Sequence, residues 1–392
     1  MLGIVLFAFA APPVILSSLF AAEVFAGLWP LPARGSSQAP VATTAAIIVP
    51  AHNEEASIAA TVAALRAEAN GIADLLVVAD NCTDRTAEIA RASGARTIVR
   101  DDPGARGKGH ALAFGRSELA KDPPAVVLVI DADCRIDRAS IAALVAAAAS
   151  EGRPAQAVYL LRPDLTAAPF VQMSNFAFML RNLVRQRGMF RLAKRVHLTG
   201  TGMAFPWILF ADADLGGGSI VEDLDLGLTM AARGHAPVLV EDATVWSPAA
   251  SAQGTMQQRE RWEGGFMKHG LPNGVRGLAR SLAKLDGRGL IASIALCIPP
   301  LALLGMLDVT ALLVAGLAAF AGGSIVPLLG ILTASAIAGL AGMLAWVREG
   351  RRYASLGVLV RLPIYALRKI PMYSRILIRG APRNWLRTDR SE

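Results

Sequence analysis

Two long uncharged stretches bracket this chain and constrain what it can fold into. Leu2 to Ala22 carries no charged side chain, and Leu290 to Val347 carries one, Asp308. A hydrocarbon core of about 30 Å needs roughly 20 apolar residues as helix, so the first stretch suffices for one span and the second for two with a turn. Gly322-Gly323-Ser324 with Pro327 is the best turn signal. Asp308 is an alternative corner, because a carboxylate at mid-bilayer costs about 2.5 to 3.5 kcal/mol on insertion scales. The N-terminal stretch lacks the basic start of a secretory signal and reads as an uncleaved anchor over residues 1–30 with a Trp29-Pro30 exit. The first basic residue after it is Arg34, and Arg348, Arg351 and Arg352 follow the last span at once. The positive-inside rule therefore places both the central block and the tail in the cytoplasm.

Composition then narrows the partners. The formal net charge is +8, and residues 348–392 hold eleven Lys and Arg against Glu349, Asp389 and Glu392, so the tail carries the whole excess. A neutral central block gives no support for a nucleic-acid substrate. Within the tail Arg361, Arg368 and Arg375 are seven apart, on one side of a helix, among Leu356, Val358, Leu359, Leu362, Ile364, Leu367 and Ile370. Pro363 and Pro371 argue for two short interfacial helices rather than one, lying on anionic lipids. A second basic segment, Arg181 to Arg195, holds six basic residues and no acidic one, and reads as a lipid-headgroup face. Cys82, Cys134 and Cys297 have no CxxC spacing, which supports neither a zinc site nor a disulfide framework.

Residues 44–288 read as an α/β domain. Apolar runs at Ala45–Val49, Leu75–Ala79, Thr97–Val99, Val126–Ile130 and Ala157–Leu161 are short and two-sided, as in a sheet covered on both faces. Amphipathic stretches at Glu54–Ala69, Thr83–Ser93, Lys108–Ala120 and Arg138–Ser150 alternate with them, which implies βαβ units and a mostly parallel sheet. Ligands of such sheets sit at the carboxyl ends of the strands, and there the chain places carboxylates. Asp80-Asn81-Cys82-Thr83-Asp84 follows the second run and Asp131-Ala132-Asp133 the fourth. Asp84 taken alone reads equally as a helix cap. Asp131 and Asp133, two apart on an extended segment, would face the same way and suit a hard cation such as Mg2+ or Mn2+ and its bound diphosphate.

Three further features fill the block. Gly104 to Gly109 is glycine-rich and opens a helix with Lys108 at its start; it is not a Walker sequence, but the position suits a diphosphate. Glu222-Asp223-Leu224-Asp225 begins a helical stretch that ends near Gly234. Gln258-Arg259-Glu260-Arg261-Trp262 joins an amide, a bidentate donor and an indole on one helix, suited to a diphosphate and a sugar.

In order, Pro50-Ala51-His52-Asn53-Glu54, Asp80 to Asp84, Asp131-Ala132-Asp133, Glu222-Asp223 and Gln258-x-x-Arg261-Trp262 resemble the membrane-bound family 2 glycosyltransferases. That group includes cellulose synthase, hyaluronan synthase, poly-N-acetylglucosamine synthase and ceramide glucosyltransferase. The resemblance covers about residues 44–270 and the membrane layout. It implies a GT-A fold and inverting transfer from a nucleotide-diphosphate sugar, a UDP-sugar first among candidates. It further implies that Asp80 meets the nucleobase side of the donor, with Pro50, Asn53 and Glu54 on the same edge. Asp131 and Asp133 would hold the divalent ion and diphosphate, Asp223 would be the general base, and Gln258, Arg261 and Trp262 would position diphosphate and acceptor. Val221, where the family usually has Thr, and Asn81, where it usually has Asp, depart from the pattern.

The layout expected is an anchor, a catalytic domain with a nucleotide-sugar half (44–165) and an acceptor half (166–288), a transmembrane hairpin (289–347) and the basic tail. A multi-pass protein of the bacterial inner membrane follows, its Ala-rich composition in keeping with that source. Three spans are few for a secretion pore, which favours adding one or a few sugars to a membrane-held lipid or saccharide acceptor; a homo-oligomer could supply further walls. The alternatives are a polyprenyl-phosphate glycosyltransferase, whose phosphate acceptor needs no general base, and a non-catalytic envelope scaffold.

Overall fold

The computed structural model of the chain describes residues 2–33, 43–216, 222–249 and 251–380. The expectations placed on Arg34, on Val221 and on residues 381–392 of the tail lie outside them. The described residues divide into two compact units, an α/β unit within 30–162 and 195–254 and a helical unit of 2–29, 163–194 and 255–380.

The α/β unit holds eight strands: β1 (Ala45–Ala51), β2 (Asp74–Asp80), β3 (Arg96–Arg100), β4 (Val126–Val129), β5 (Arg135–Ile136), β6 (Ala155–Leu161), β7 (Met203–Pro206) and β8 (Val238–Ser247). They form one sheet in the order β3-β2-β1-β4-β7-β6-β8-β5. The first four are parallel, β7 runs antiparallel between β4 and β6, β6 and β8 are parallel, and β5 is an antiparallel edge. All seven residues of β1 and of β6 are buried, which explains their continuous apolar runs. Ile48, Val78, Val127, Val129 and Phe205 pack against Leu112 and Leu119 of the Lys108–Leu119 helix in the central core. The five expected strands are present, and β5, β7 and β8 add to them. β5 is too short for any periodicity to register. In β8 the partner register jumps from Val240 to Thr244 opposite Ala157 and Val158, and the bulged Glu241-Asp242-Ala243 breaks the apolar pattern.

Two local expectations change. The first helix begins at Ile58, not Glu54, because Asn53 is left-handed (φ 55°) and Glu54 to Ser57 form a turn. Asp131 to Cys134 is likewise a turn, closed by the Cys134 N–H on the Asp131 carbonyl at 3.0 Å, rather than an extended segment.

In the helical unit, Leu6–Gly27, Leu301–Phe320 and Val326–Gly350 are long and apolar enough to cross a membrane. The last two are joined through Gly322 (φ +86°), as the turn signal predicts. Asp308 is no corner; it lies within its helix and accepts hydrogen bonds from Ser17 (2.8 Å) and Ser335 (2.9 Å), so each of the three long helices contributes one side chain. The same three helices pack closely through Ala10, Ala311, Ala315 and Ile331. The Arg181–Arg195 segment is not a lipid face. Arg185 pairs with Glu23 (2.6 Å), Arg187 with Glu349 (2.7 Å), and Arg191 donates to the Ala26 carbonyl (2.5 Å). Two carboxylates and a backbone carbonyl, all distant in the sequence, satisfy these three charges, and linear charge counting cannot see them. The tail differs too: Leu356–Leu359 is one turn, and Leu362–Arg379 is a single helix through Pro371. Pro363 sits in its first turn, where no donor is needed, and Pro371 deprives only the Leu367 carbonyl, at an exposed residue.

Candidate active site

The carboxyl ends of β1, β2 and β4 bring the motifs together. Asp80, the last residue of β2, is fully buried, and its register partner on β3 is Arg100. Arg100 Nη1 donates to Asp80 Oδ1 (2.6 Å) and to the Ala105 carbonyl (2.7 Å), and Nη2 donates to Asp102 (2.8 Å). Asn81 Nδ2 also donates to Asp80 Oδ1 (3.1 Å), whereas the buried Oδ2 has no hydrogen-bond partner among the described residues. A buried orphan acceptor is costly and points to a donor supplied from outside the chain.

The neighbouring motif residues shape this rim. Pro50 is buried in β1. Asn53 Oδ1 accepts from Thr83 N (2.8 Å) and Oγ1 (3.3 Å), and Glu54 accepts from Ser57 Oγ (2.7 Å) while its N–H donates to Thr86 Oγ1 (2.7 Å). Asp84 is not the cap, a position that Arg85 holds; it accepts from Thr86 N (3.0 Å) and Oγ1 (2.5 Å) in a turn just before the helix, and from Glu55 N (3.2 Å).

The second centre surrounds Lys108, the first residue of its helix. Its ammonium donates to Asp131 Oδ1 and to the Gly200 carbonyl (2.7 Å). The Asp131 N–H in turn donates to Thr201 Oγ1 (3.1 Å). Gly200 is left-handed (φ +89°), and a Cβ there would lie 3.4 Å from Asp223 Oδ2 and 3.8 Å from Lys108 Nζ. Lys108, Asp131 and Asp223 therefore converge on one glycine, with Asp223 in the first turn of the Glu222–Ala232 helix.

Asp133 completes the group. Its carboxylate, that of Asp131 and the Cys134 thiol all lie within 4.8 Å of one another. The thiol donates to Asp133 Oδ1 (3.3 Å), and burial, helped by the Asp131 charge, pushes it up to about 12. Two hard oxygen donors side by side fit Mg2+ or Mn2+ and not zinc.

Electrostatics bind the cluster further. Burial pulls Lys108 down, but Asp131, Glu222 and Asp223 together push it above its ordinary value and keep it charged. Burial and the adjacent Asp223 charge raise Glu222 to about 7 against the pull of Lys108. Three carboxylates around one ammonium, with Asp133 beside Asp131, is an arrangement that a divalent cation relieves.

Gln258, Arg261 and Trp262 lie on the Ala252–Gly265 helix, in the part that belongs to the helical unit. Trp262 stacks on Phe178 (5.2 Å between centroids), and buried Arg259 lies over both rings while donating to Ser174 Oγ (2.6 Å). Sequence reasoning passes over Arg100 and Gln156. The signal for Arg100 is its position at the end of the strand beside Asp80. Gln156 is silent, its role arising only where β6 meets the Thr199–Gly202 loop. Its Nε2 donates to the Ala157 and Thr201 carbonyls (both 2.9 Å) and more weakly to Gly202 (3.4 Å), and its Oε1 accepts from Thr199 N (2.9 Å).

Comparison with known proteins bears on the family and the fold. A low-salt glycan biosynthesis hexosyltransferase of Haloferax volcanii is 35% identical over 104 residues, 26% of this chain and 24% of that protein. An uncharacterized glycosyltransferase of Mycobacterium tuberculosis is 37% identical over 100 residues, 26% of this chain and 41% of that protein. The match thus spans less than half the length of these relatives. A mannosyltransferase of Pyrobaculum calidifontis, solved in complex with GDP-Man and Mn2+, shares the fold at a TM-score of 0.54 and 18% identity, covering 92% of this chain and 99% of that one. The family model described as glycosyltransferase like family 2 matches residues 42–265, more than half of the sequence, and the chain belongs to that family.

Proposed function

We propose that this protein is an inverting, cation-dependent glycosyltransferase that moves a sugar from a nucleoside-diphosphate sugar to a hydroxyl of a membrane-held acceptor, a lipid-linked saccharide, glycolipid or growing glycan. The observation that carries the reading is the convergence of Lys108, Asp131 and Asp223 on Gly200, with Asp133 beside them. The unpartnered Asp80 Oδ2 would accept from an N–H of the nucleobase, and Arg100 holds that carboxylate in place. Asp131 and Asp133 would hold the divalent cation, which supplies positive charge to the donor diphosphate. The related fold solved with GDP-Man and Mn2+ is consistent with such a pair of ligands.

The chemistry follows from the side chains. The acceptor oxygen attacks the anomeric carbon from the face opposite the diphosphate, its proton passes to Asp223, and the bond to the diphosphate oxygen breaks. A positioned carboxylate base contributes about 10² to 10⁴ in rate. Lys108, kept charged by its three acidic neighbours, offsets the charge that develops on the leaving group. Gln258, Arg261 and Trp262 would grip diphosphate and acceptor. The three long apolar helices would span a bacterial cytoplasmic membrane, with the catalytic domain in the cytoplasm and basic groups of the tail on anionic lipid.

The test is release of nucleoside diphosphate by the full chain in detergent, over a panel of UDP-, GDP- and dTDP-sugars with Mn2+ or Mg2+. Asp223→Asn should lose about 10² to 10⁴ in kcat with little change in donor KM. Equal release by wild type and Asp223→Asn with every donor would refute the assignment.

A further inference from the structure

The C-terminal helix Leu362–Arg379 is amphipathic in an inverted sense. The stripe it buries, Tyr365, Lys369, Met372, Tyr373 and Ile376, contains its lysine. Its outer face instead exposes Leu362, Ile364, Leu367, Ile370, Leu377 and Ile378. Exposed Arg368, Arg375 and Arg379, seven and four apart, run along one flank. A helix facing water does the opposite. An apolar face edged by arginines fits a bilayer surface with anionic headgroups.

The inner face ends on the helix of Gln258, Arg261 and Trp262. Lys369, 2% exposed, donates to Glu263 Oε1, and Tyr373 donates to Glu263 Oε2 at 2.6 Å. Burial and the Glu263 charge push the Tyr373 phenol up, so it remains a donor. One turn further out Arg375 forks onto Glu260 (3.2 and 3.0 Å). Glu263 directly follows Trp262, whose ring is held on Phe178, so Arg259 to Glu263 are gripped by Ser174 and Phe178 and by the C-terminal helix. Apolar side chains would dock two helices as firmly as a buried ion pair. What the pair adds is a fixed register between them.

We propose that Lys369 and Tyr373 are positioning residues, coupling the seating of the C-terminal helix on an anionic bilayer to the placement of Gln258, Arg261 and Trp262. The activity side of this inference rests on the function proposed above; the mechanical side does not. Seating the apolar face fixes the helix, and through Glu263 it fixes the turn that carries Arg261 and Trp262. Ser174 and Phe178 hold the same turn from its other side. Misplacing such groups by about 1 Å can cost about 10²-fold in turnover.

The test uses the full chain in nanodiscs of phosphatidylcholine alone or mixed equally with phosphatidylglycerol, read by hydrogen exchange of residues 255–265 and by kcat and KM for nucleoside diphosphate release. Wild type should show slower exchange in this segment and a kcat about tenfold higher in the anionic discs, with donor KM nearly unchanged. Lys369→Met and Tyr373→Phe should remove both differences. The exchanged pair Lys369→Glu with Glu263→Lys should restore them. Leu367→Ser with Leu377→Ser, which leaves the inner face intact, should lose the lipid response while keeping the activity of the neutral discs. A lipid response in exchange that survives in folded Lys369→Met overturns the proposal, as does its absence from wild type. If the exchange response follows this pattern but no donor is turned over, the coupling stands and the proposed function fails.

Discussion

Gln156→Leu removes one buried side chain that holds the loop between Lys108 and Asp223. The leucine roughly preserves volume, so the loss is one of hydrogen bonding. The Gly202 carbonyl keeps the Ala157 N–H (2.8 Å), but Thr199 N–H and the Ala157 and Thr201 carbonyls lose Gln156. Each buried polar group left unpaired costs about 1–3 kcal/mol, so the α/β unit should lose about 3–9 kcal/mol. That is a large share of a typical stability of about 5–15 kcal/mol, and the variant should fold with a lower melting temperature. The loop also supplies the Gly200 carbonyl to Lys108 and Thr201 Oγ1 to Asp131. With it loosened, kcat for nucleoside diphosphate release should fall by about 10²-fold, more than donor KM changes. Gln156→Glu keeps the acceptor for Thr199 N–H but turns a carboxylate toward three carbonyl oxygens, and should be no better. Thermal unfolding with steady-state kinetics of both variants checks this. A Gln156→Leu protein with wild-type melting temperature and kcat would show that the loop is held by other means, and the reasoning would be wrong.

Four further outcomes are expected. Lys108→Met should lower kcat by about 10²-fold and weaken activation by Mn2+, because Asp131 loses its partner; unchanged kcat and metal activation would count against it. Chelation should abolish release and added Mn2+ or Mg2+ should restore it, except in Asp133→Asn, which a metal titration of turnover would show. Gly188→Ala should destabilise the helical unit severely, since a Cβ there would lie 1.9 Å from the Glu23 carbonyl oxygen; melting in detergent measures it, and a wild-type curve would contradict the packing. Ser17→Ala with Ser335→Ala strips both donors from the Asp308 carboxylate and should lower stability by about 1–3 kcal/mol, whereas Asp308→Asn keeps an acceptor for both hydroxyls and should cost less.

What could be read in advance followed chemistry that is local in the chain. β1, β2 and β4 are continuous apolar runs, and those of β2 and β4 lead straight into Asp80 and Asp131, so the carboxyl edge of a parallel sheet and its acidic residues were both legible. The three long apolar helices and the Gly322 turn depend on composition over about 20 residues and were legible for the same reason. β7 and β8 were not, since one is a four-residue insertion between β4 and β6 and the other is broken by a bulge. The Arg181–Arg195 segment misled because its counter-charges, Glu23 and Glu349, lie over 160 residues away.

The site divides along the same line. The order of the acidic motifs carried the resemblance to the family 2 glycosyltransferases, to which the chain belongs, and singled out Asp80, Asp131, Asp133 and Asp223 as site candidates. Only the tertiary structure decided that Lys108 closes on Asp131 and Gly200, that Arg100 holds Asp80, and that the Cys134 thiol donates to Asp133. It also decided that Asp308 joins Ser17 and Ser335 instead of turning the chain, and that Lys369 points inward to Glu263. A charged group's partner is whichever opposite group the fold brings within about 3 Å, and separation along the chain sets no limit on that.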